Sequence, residues 1–154
     1  MTARDRFFLD KSDPESWHAL NGLAGTVADA AEEAGISRAV LELVNVRVSQ
    51  LNGCAACLAT HVPAARKAGV SQDRLDLLPA WREIDAFGDQ ERAALRLAET
   101  LTRLDDAEER AAAIAAAADH FSDEQLSALE WTIVLINAFN RVSIASHHQP
   151  TLED

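Results

Sequence analysis

Cys54 and Cys57 are the only two cysteines in the chain, and His61 follows the second by four residues. On a helix, positions 54 and 57 are i and i+3, and His61 lies one turn beyond Cys57, so the three side chains share one stripe. Sulfurs at that spacing can join in a disulfide without large backbone movement. The preceding Asn52-Gly53 breaks a helix and places both cysteines in the first turns of the next one. There the unpaired backbone N–H groups and the helix dipole favour a thiolate. An imidazole one turn away can take a proton from Cys57 or stabilise its anion. An attacking thiolate, a resolving thiol and a proton acceptor make a reversible dithiol redox centre. The helix terminus on its own favours Cys54 as the more acidic thiol, whereas His61 favours Cys57.

A CxxC also serves structural zinc. With no second CxxC, a mononuclear site would have to combine Cys54, Cys57 and His61 with Glu42 or another imidazole. The redox reading is preferred, and neither a metal nor a cofactor is assigned.

The chain has 154 residues, 48% of them hydrophobic, which suits one domain with a real core. It has no Tyr and is rich in Ala, Glu, Asp and Arg, a usage that favours helix over sheet. Twenty-five acids face fourteen Lys and Arg, for a formal net charge of −11. Such a surface repels phosphate backbones and anionic lipid, so neither nucleic acid nor membrane is an expected partner. No stretch approaches the roughly 20 apolar residues of a membrane span, and residues 1–13 lack a signal-peptide core. The expected location is cytoplasmic, where thiols are normally reduced and a purely structural disulfide is out of place.

The elements that must hold these residues read as an all-α fold of about six to seven helices over residues 14–145. An arm precedes it at 1–13, and a polar tail follows at 146–154. Pro14 suits a first helical turn, and Trp17, Leu20, Leu23, Ala24, Val27 and Ala31 recur at helical spacing up to Gly35. Ser37 caps a second helix carrying Val40, Leu41, Val44, Val46, Val48 and Leu51. The third runs from Asn52-Gly53 through the cysteines to Lys67, kinked by Pro63 and closed by Gly69. Ser71 caps a short fourth, ending near Leu78-Pro79. Trp81 to Gly88 reads as a loop whose Trp81, Ile84 and Phe87 must pack over something; they are expected to line an apolar pocket suited to an alkyl chain. Asp89 starts another helix through Leu95, Leu97 and Leu101. Asp105 with Glu108, and Ser122 with Gln125, read as capping boxes before Ala107–Ala118 and Leu126–Ala145. Arg47 and Arg141 are expected to pair with acids such as Glu42, and Asn137 and Asn140 to satisfy backbone groups or a subunit contact. His18, His120, His147 and His148 are assigned no role.

The run from Glu42 to His61 resembles the core of the carboxymuconolactone decarboxylase and alkylhydroperoxidase-D-like superfamily, on its peroxidase-like side. That pattern is a glutamate, then twelve residues later CxxCxxxH, matched by Glu42, Cys54, Cys57 and His61. Arg47-Val48-Ser49-Gln50, Asn52-Gly53, Trp81-Arg82-Glu83, Glu91 to Leu95 and Ile136 to Arg141 also fit, so the resemblance spans roughly residues 15–145. It implies an all-helical subunit assembled as trimers or hexamers. It also implies that Cys57 attacks a hydroperoxide, that Cys54 resolves the sulfenic acid as a disulfide, and that Glu42 and His61 belong to a proton relay. A separate dithiol reductant would then restore the thiols. Better-studied hydroperoxidases carry a further histidine just before the second cysteine, where this chain has Ala56. A redox-sensing or scaffold protein with little turnover is the alternative. A decarboxylase is a third reading, disfavoured because the family's decarboxylases generally lack the CxxC pair.

Overall fold

The second helix read from the sequence is apolar on nearly every side, and it becomes the centre of the fold. In a computed structural model that describes residues 7–152, this helix, α3 (Arg38–Asn52), buries Val40, Leu41, Leu43, Val44, Val46 and Val48 along with Glu42 and Ser49. A helix buried on opposite faces needs partners on each, and α3 packs against α4 (Ala55–Lys67), α6 (Asp89–Arg103) and α8 (Asp123–Ala145). One face joins α2 (Pro14–Glu33), α6, α7 (Ala107–Ala118) and α8 in a core that includes Ala31, Val44, Val48, Leu97, Leu129 and Ile133. The other face meets α4 and the segment after it, in a second core of Leu43, Val46, Ala65, Leu75, Leu78 and Leu95. The fold is all-α, with no strand among the described residues. No helix there is long and apolar enough to cross a membrane.

Local signals set most helix ends. Asp13 caps α2, its carboxylate accepting the Ser16 N–H at 3.1 Å, with Pro14 in the first turn. Ser122 and Gln125 form a reciprocal capping box at α8, with bonds of 3.2 and 3.1 Å. At α7 the cap is Asp106, which accepts from the Glu109 N–H at 2.9 Å, one residue beyond the expected Asp105–Glu108 pair. Pro63 lies inside α4 without ending it.

The expected loop at Trp81–Gly88 needs correction. After the short α5 (Gln72–Asp76), residues Leu78–Glu83 form a 3-10 helix begun by Pro79, and both Trp81 and Phe87 are buried. Arg82 and Arg92 lie over the Trp81 ring, 4.2 and 5.2 Å from its centre. Residues 9–12 form a one-turn helix, α1 (Leu9–Ser12), which touches α2, α8 and the turn that follows α8.

Candidate functional site

The α3–α4 corner is built from three local devices. Gly53 takes the left-handed conformation (φ +68°), which costs a residue without Cβ little, and closes α3. The Cys54 N–H then donates back to the Ser49 carbonyl at 3.0 Å. Cys54 itself is the N-cap of α4: its sulfur accepts the Cys57 N–H at 3.3 Å. Cys54 thus stands just outside the helix and Cys57 inside its first turn, joined in a disulfide with Cα atoms 5.3 Å apart. Both are buried, at 1% and 6% exposure, but Cys57 also lines a cavity that Cys54 does not.

Side chains of α3 and α8 fix this corner from below. Asn52 donates to the amide oxygens of Asn137 and Asn140 at 3.0 and 2.9 Å, and Asn140 donates to Ser49 Oγ at 3.1 Å. Asn140 is fully buried, and these bonds tie the end of α3, hence Cys54, to α8. The asparagines therefore satisfy other side chains as well as the backbone, Asn137 also donating to the Ile133 carbonyl.

Glu42 comes from the middle of α3, with no exposed surface, and receives His61 from α4: His61 Nδ1 lies 2.7 Å from Oε2. With the carboxylate as acceptor, the neutral imidazole carries its proton on Nδ1 and leaves Nε2 able to accept one. Asn45 donates to the same oxygen at 3.4 Å. The Arg38 guanidinium, one turn before Glu42, stands 2.6 Å from Oε1 as an ion contact without hydrogen-bond alignment, so that oxygen has no aligned donor. Burial pushes the Glu42 carboxyl up. The His61 bond and charge, the Arg38 charge and the Asn45 bond together outweigh it and hold the group below its ordinary range.

Of the two arginines expected to pair with acids such as Glu42, Arg47 pairs with an acid, though with Glu99, and Arg141 does not. Arg47 bonds Glu99 at 2.8 Å, Arg141 bonds the Asn137 carbonyl, and the arginine at Glu42 is Arg38. The Arg38–Glu42 spacing of four on one helix was the signal for it.

Cys57, His61 and Ala56 open onto a cavity of about 640 Å³ between α2, α3, α4 and α8. Its apolar wall includes Trp17, Leu135, Ile136 and Phe139, with Trp17 and Phe139 meeting edge to face at 5.6 Å. Trp81, Ile84 and Phe87 do not line it. They belong to the second core, on the other side of α3, where the Trp81 N–H is committed to Glu99 at 3.0 Å. Among the described residues, no three His, Cys, Asp or Glu side chains converge as a metal site.

Comparison with known proteins places the sequence and the fold. The family model for "Carboxymuconolactone decarboxylase family" matches residues 14–100, which contain the Glu42, Cys54, Cys57 and His61 cluster. The uncharacterised protein YdfG of Bacillus subtilis is 38% identical over 114 residues, 74% of this chain and 78% of that one. A crystal structure from Agrobacterium tumefaciens, of a protein of unknown function described as a candidate antioxidant defence protein AhpD, superposes with a TM-score of 0.86. It is 30% identical and covers 96% of this chain and 99% of that one. On sequence and architecture alike, the chain belongs to the carboxymuconolactone decarboxylase family, with an alkylhydroperoxidase-D-like fold.

Proposed function

We propose that the protein reduces organic hydroperoxides through a reversible Cys54–Cys57 disulfide. The observation that carries this reading is the placement of Cys57 on an apolar cavity wall, bonded to Cys54 and sharing the wall with a His61 anchored on buried Glu42. A cavity of about 640 Å³ is far larger than hydrogen peroxide needs, and its apolar wall suits an alkyl group.

The Cys57 thiolate attacks the terminal peroxide oxygen. The O–O bond breaks, Cys57 becomes a sulfenic acid, and the alkoxide takes a proton and leaves as alcohol. Cys54 thiolate then attacks the Cys57 sulfur, forming the disulfide and releasing hydroxide, which leaves as water. The Cys57 N–H aimed at Cys54 Sγ supports negative charge on the resolving sulfur, while His61 and Glu42 receive the proton of the Cys57 thiol. In this reading the helix terminus and the imidazole each favour a different cysteine, and the reaction uses both. A dithiol reductant restores the pair by exchange and is itself oxidised to a disulfide. Homo-oligomeric assembly as trimers or hexamers goes with this reading.

The test is peroxide consumption with dithiothreitol as donor. Sustained turnover by the wild type, lost in Cys57→Ser, with a sulfenic acid trapped on Cys57 in Cys54→Ser, supports the enzyme. One stoichiometric oxidation without turnover identifies a redox sensor instead, and a sulfenic acid trapped on Cys54 in Cys57→Ser, with none on Cys57 in Cys54→Ser, reverses the two roles.

A further inference from the structure

The cavity has one wall that belongs to neither the redox corner nor the core. His148, three residues past α8, lines it together with Cys57 and His61. Its position is specified in detail. The chain turns back at His147, a non-glycine residue at φ +52°, and the His147 and His148 N–H groups donate to the Ile144 and Ser143 carbonyls at 3.1 and 3.0 Å. This is a left-handed helix termination normally built on glycine. His148 then stacks on Phe8 with ring centres 6.2 Å apart, and its Nε2 lies 3.2 Å from the Asp10 carboxylate. Next to it, the Leu9 N–H donates to Ser146 Oγ at 2.9 Å, and Ser146 is fully buried.

Residues 8–10 and 146–148 thus clip the two chain ends together beside the thiol cavity. The clip is weaker than the bundle. α1 has four residues, none of them buried, and the His148–Asp10 contact is partly exposed to water. Few buried apolar contacts hold such a short segment, so it opens at lower free-energy cost than the bundle. The wall formed by Leu135, Ile136 and Phe139, by contrast, belongs to the 23-residue α8.

We propose that the joined chain ends are a clasp whose His148 side chain closes one side of the thiol cavity, making His148 a specificity-determining residue that favours compact alkyl hydroperoxides over bulky aryl or long-chain ones. This rests on the reading of the cavity as the approach to Cys57. The clasp acts by bulk: with it closed, a ligand is limited by the imidazole, and with it open, the cavity extends toward solvent between α2 and the end of α8.

The test separates access from catalysis. In a reduced Cys54→Ser background, Cys57 is the only thiol, and its alkylation rate is measured with iodoacetamide and with pyrenylmaleimide. His148→Ala is expected to raise the pyrenylmaleimide-to-iodoacetamide rate ratio on the order of tenfold, the scale at which pocket contacts discriminate by size. His148→Phe restores bulk and keeps the stacking on Phe8 while losing only the Asp10 contact, and should return the ratio close to wild type. Combined Phe8→Ala and Asp10→Asn unlatches the clasp without substituting any residue that lines the cavity and should raise the ratio by a smaller factor; it decides the matter if His148→Ala does not fold. An unchanged ratio in the unlatched protein and in a folded His148→Ala overturns the clasp, as does a His148→Phe ratio as high as that of alanine. With both cysteines present, His148→Ala should raise kcat/KM for cumene hydroperoxide relative to tert-butyl hydroperoxide. If the wild type turns over neither peroxide, the peroxidase reading falls while the alkylation ratio still decides the clasp.

Discussion

Glu42 and Glu99 lie on the packed helices α3 and α6, both buried, both with carboxyls held below the ordinary range. Their partners set them apart. Glu99 receives three hydrogen bonds, from the Trp81 indole at 3.0 Å, Arg47 at 2.8 Å and Arg82 at 2.6 Å. Arginine keeps its charge at any ordinary pH and the indole does not titrate, so this carboxylate is fixed. Glu42 has instead a histidine at 2.7 Å, an arginine in ion contact only and one oxygen with no aligned donor. One set of donors is permanently charged or cannot titrate, and the other includes an imidazole that lines the Cys57 cavity. Burial and a depressed pKa are common to both, so neither property marks a functional acid; the chemistry of the donors does.

The largest expected effect separates the two by stability. Glu99→Ala leaves Arg47 buried without its acid and frees the Trp81 N–H. Breaking a buried pair costs about 3–5 kcal/mol, and the water around half-exposed Arg82 places this one near the lower end, about 3 kcal/mol. Urea unfolding should show that loss, while Cys57 of the folded fraction keeps its alkylation rate. A stability within about 0.5 kcal/mol of wild type would place Glu99 among ordinary surface acids.

Glu42→Gln should give the opposite profile. The amide keeps the shape and can still accept from His61, so stability changes by no more than about 1 kcal/mol. The carboxylate that could share a proton with His61 is gone, and kcat/KM for a hydroperoxide should fall about a hundredfold, the lower range for losing acid–base assistance. Unchanged kinetics would remove Glu42 from the relay and leave it a second Glu99.

Acid titration tests what the two share. Burial alone raises each carboxyl, and the donors more than reverse it. Below about pH 4.5, the ordinary glutamate value, the unfolded chain takes up protons that the folded chain refuses. Stability from these groups is therefore fully present above that pH and is lost as pH falls through the lower folded values. Unfolding free energy measured by urea at successive pH values should decline less steeply in Glu99→Gln and in Glu42→Gln than in wild type. A decline of wild-type steepness in both variants would show that neither carboxyl is held low.

The geometry of the cysteine corner was readable from sequence because short spacings determine it: four residues from Cys57 to His61, three between the sulfurs, and a glycine where α3 must end in the left-handed region. The helices followed from the same local rules, with Asp106 in place of Asp105 as the kind of one-residue shift that capping patterns allow. Pairings across the fold were less accessible. That Trp81 and Phe87 must be buried was evident, but which of the two faces of α3 they cover depends on how α4 and α6 pack around it. The clasp was out of reach entirely, since Leu9 and Ser146 meet across 137 positions and no local pattern in a polar tail points to a pocket.

The smallest effect makes the finest distinction, between the arginines of the two acids. Arg47 is 11% exposed and aligned with Glu99, whereas Arg38 is 64% exposed and touches Glu42 from the solvent side. An ion pair open to water contributes about 0.5 kcal/mol or less and fades with salt. Arg38→Gln should therefore leave the urea midpoint nearly unchanged. Its effect belongs to the proton chemistry: without that positive charge, one of the influences holding the Glu42 carboxyl down is lost and the group becomes a stronger base. The acid limb of a pH profile for Cys57 alkylation should shift in Arg38→Gln at low salt and converge with wild type at high salt, where the wild-type arginine is already screened. A shift that persists at 1 M salt would mean that Arg38 acts on Glu42 by direct bonding, as Arg47 does on Glu99, and the distinction between a fixed and an adjustable carboxylate would lose its physical basis.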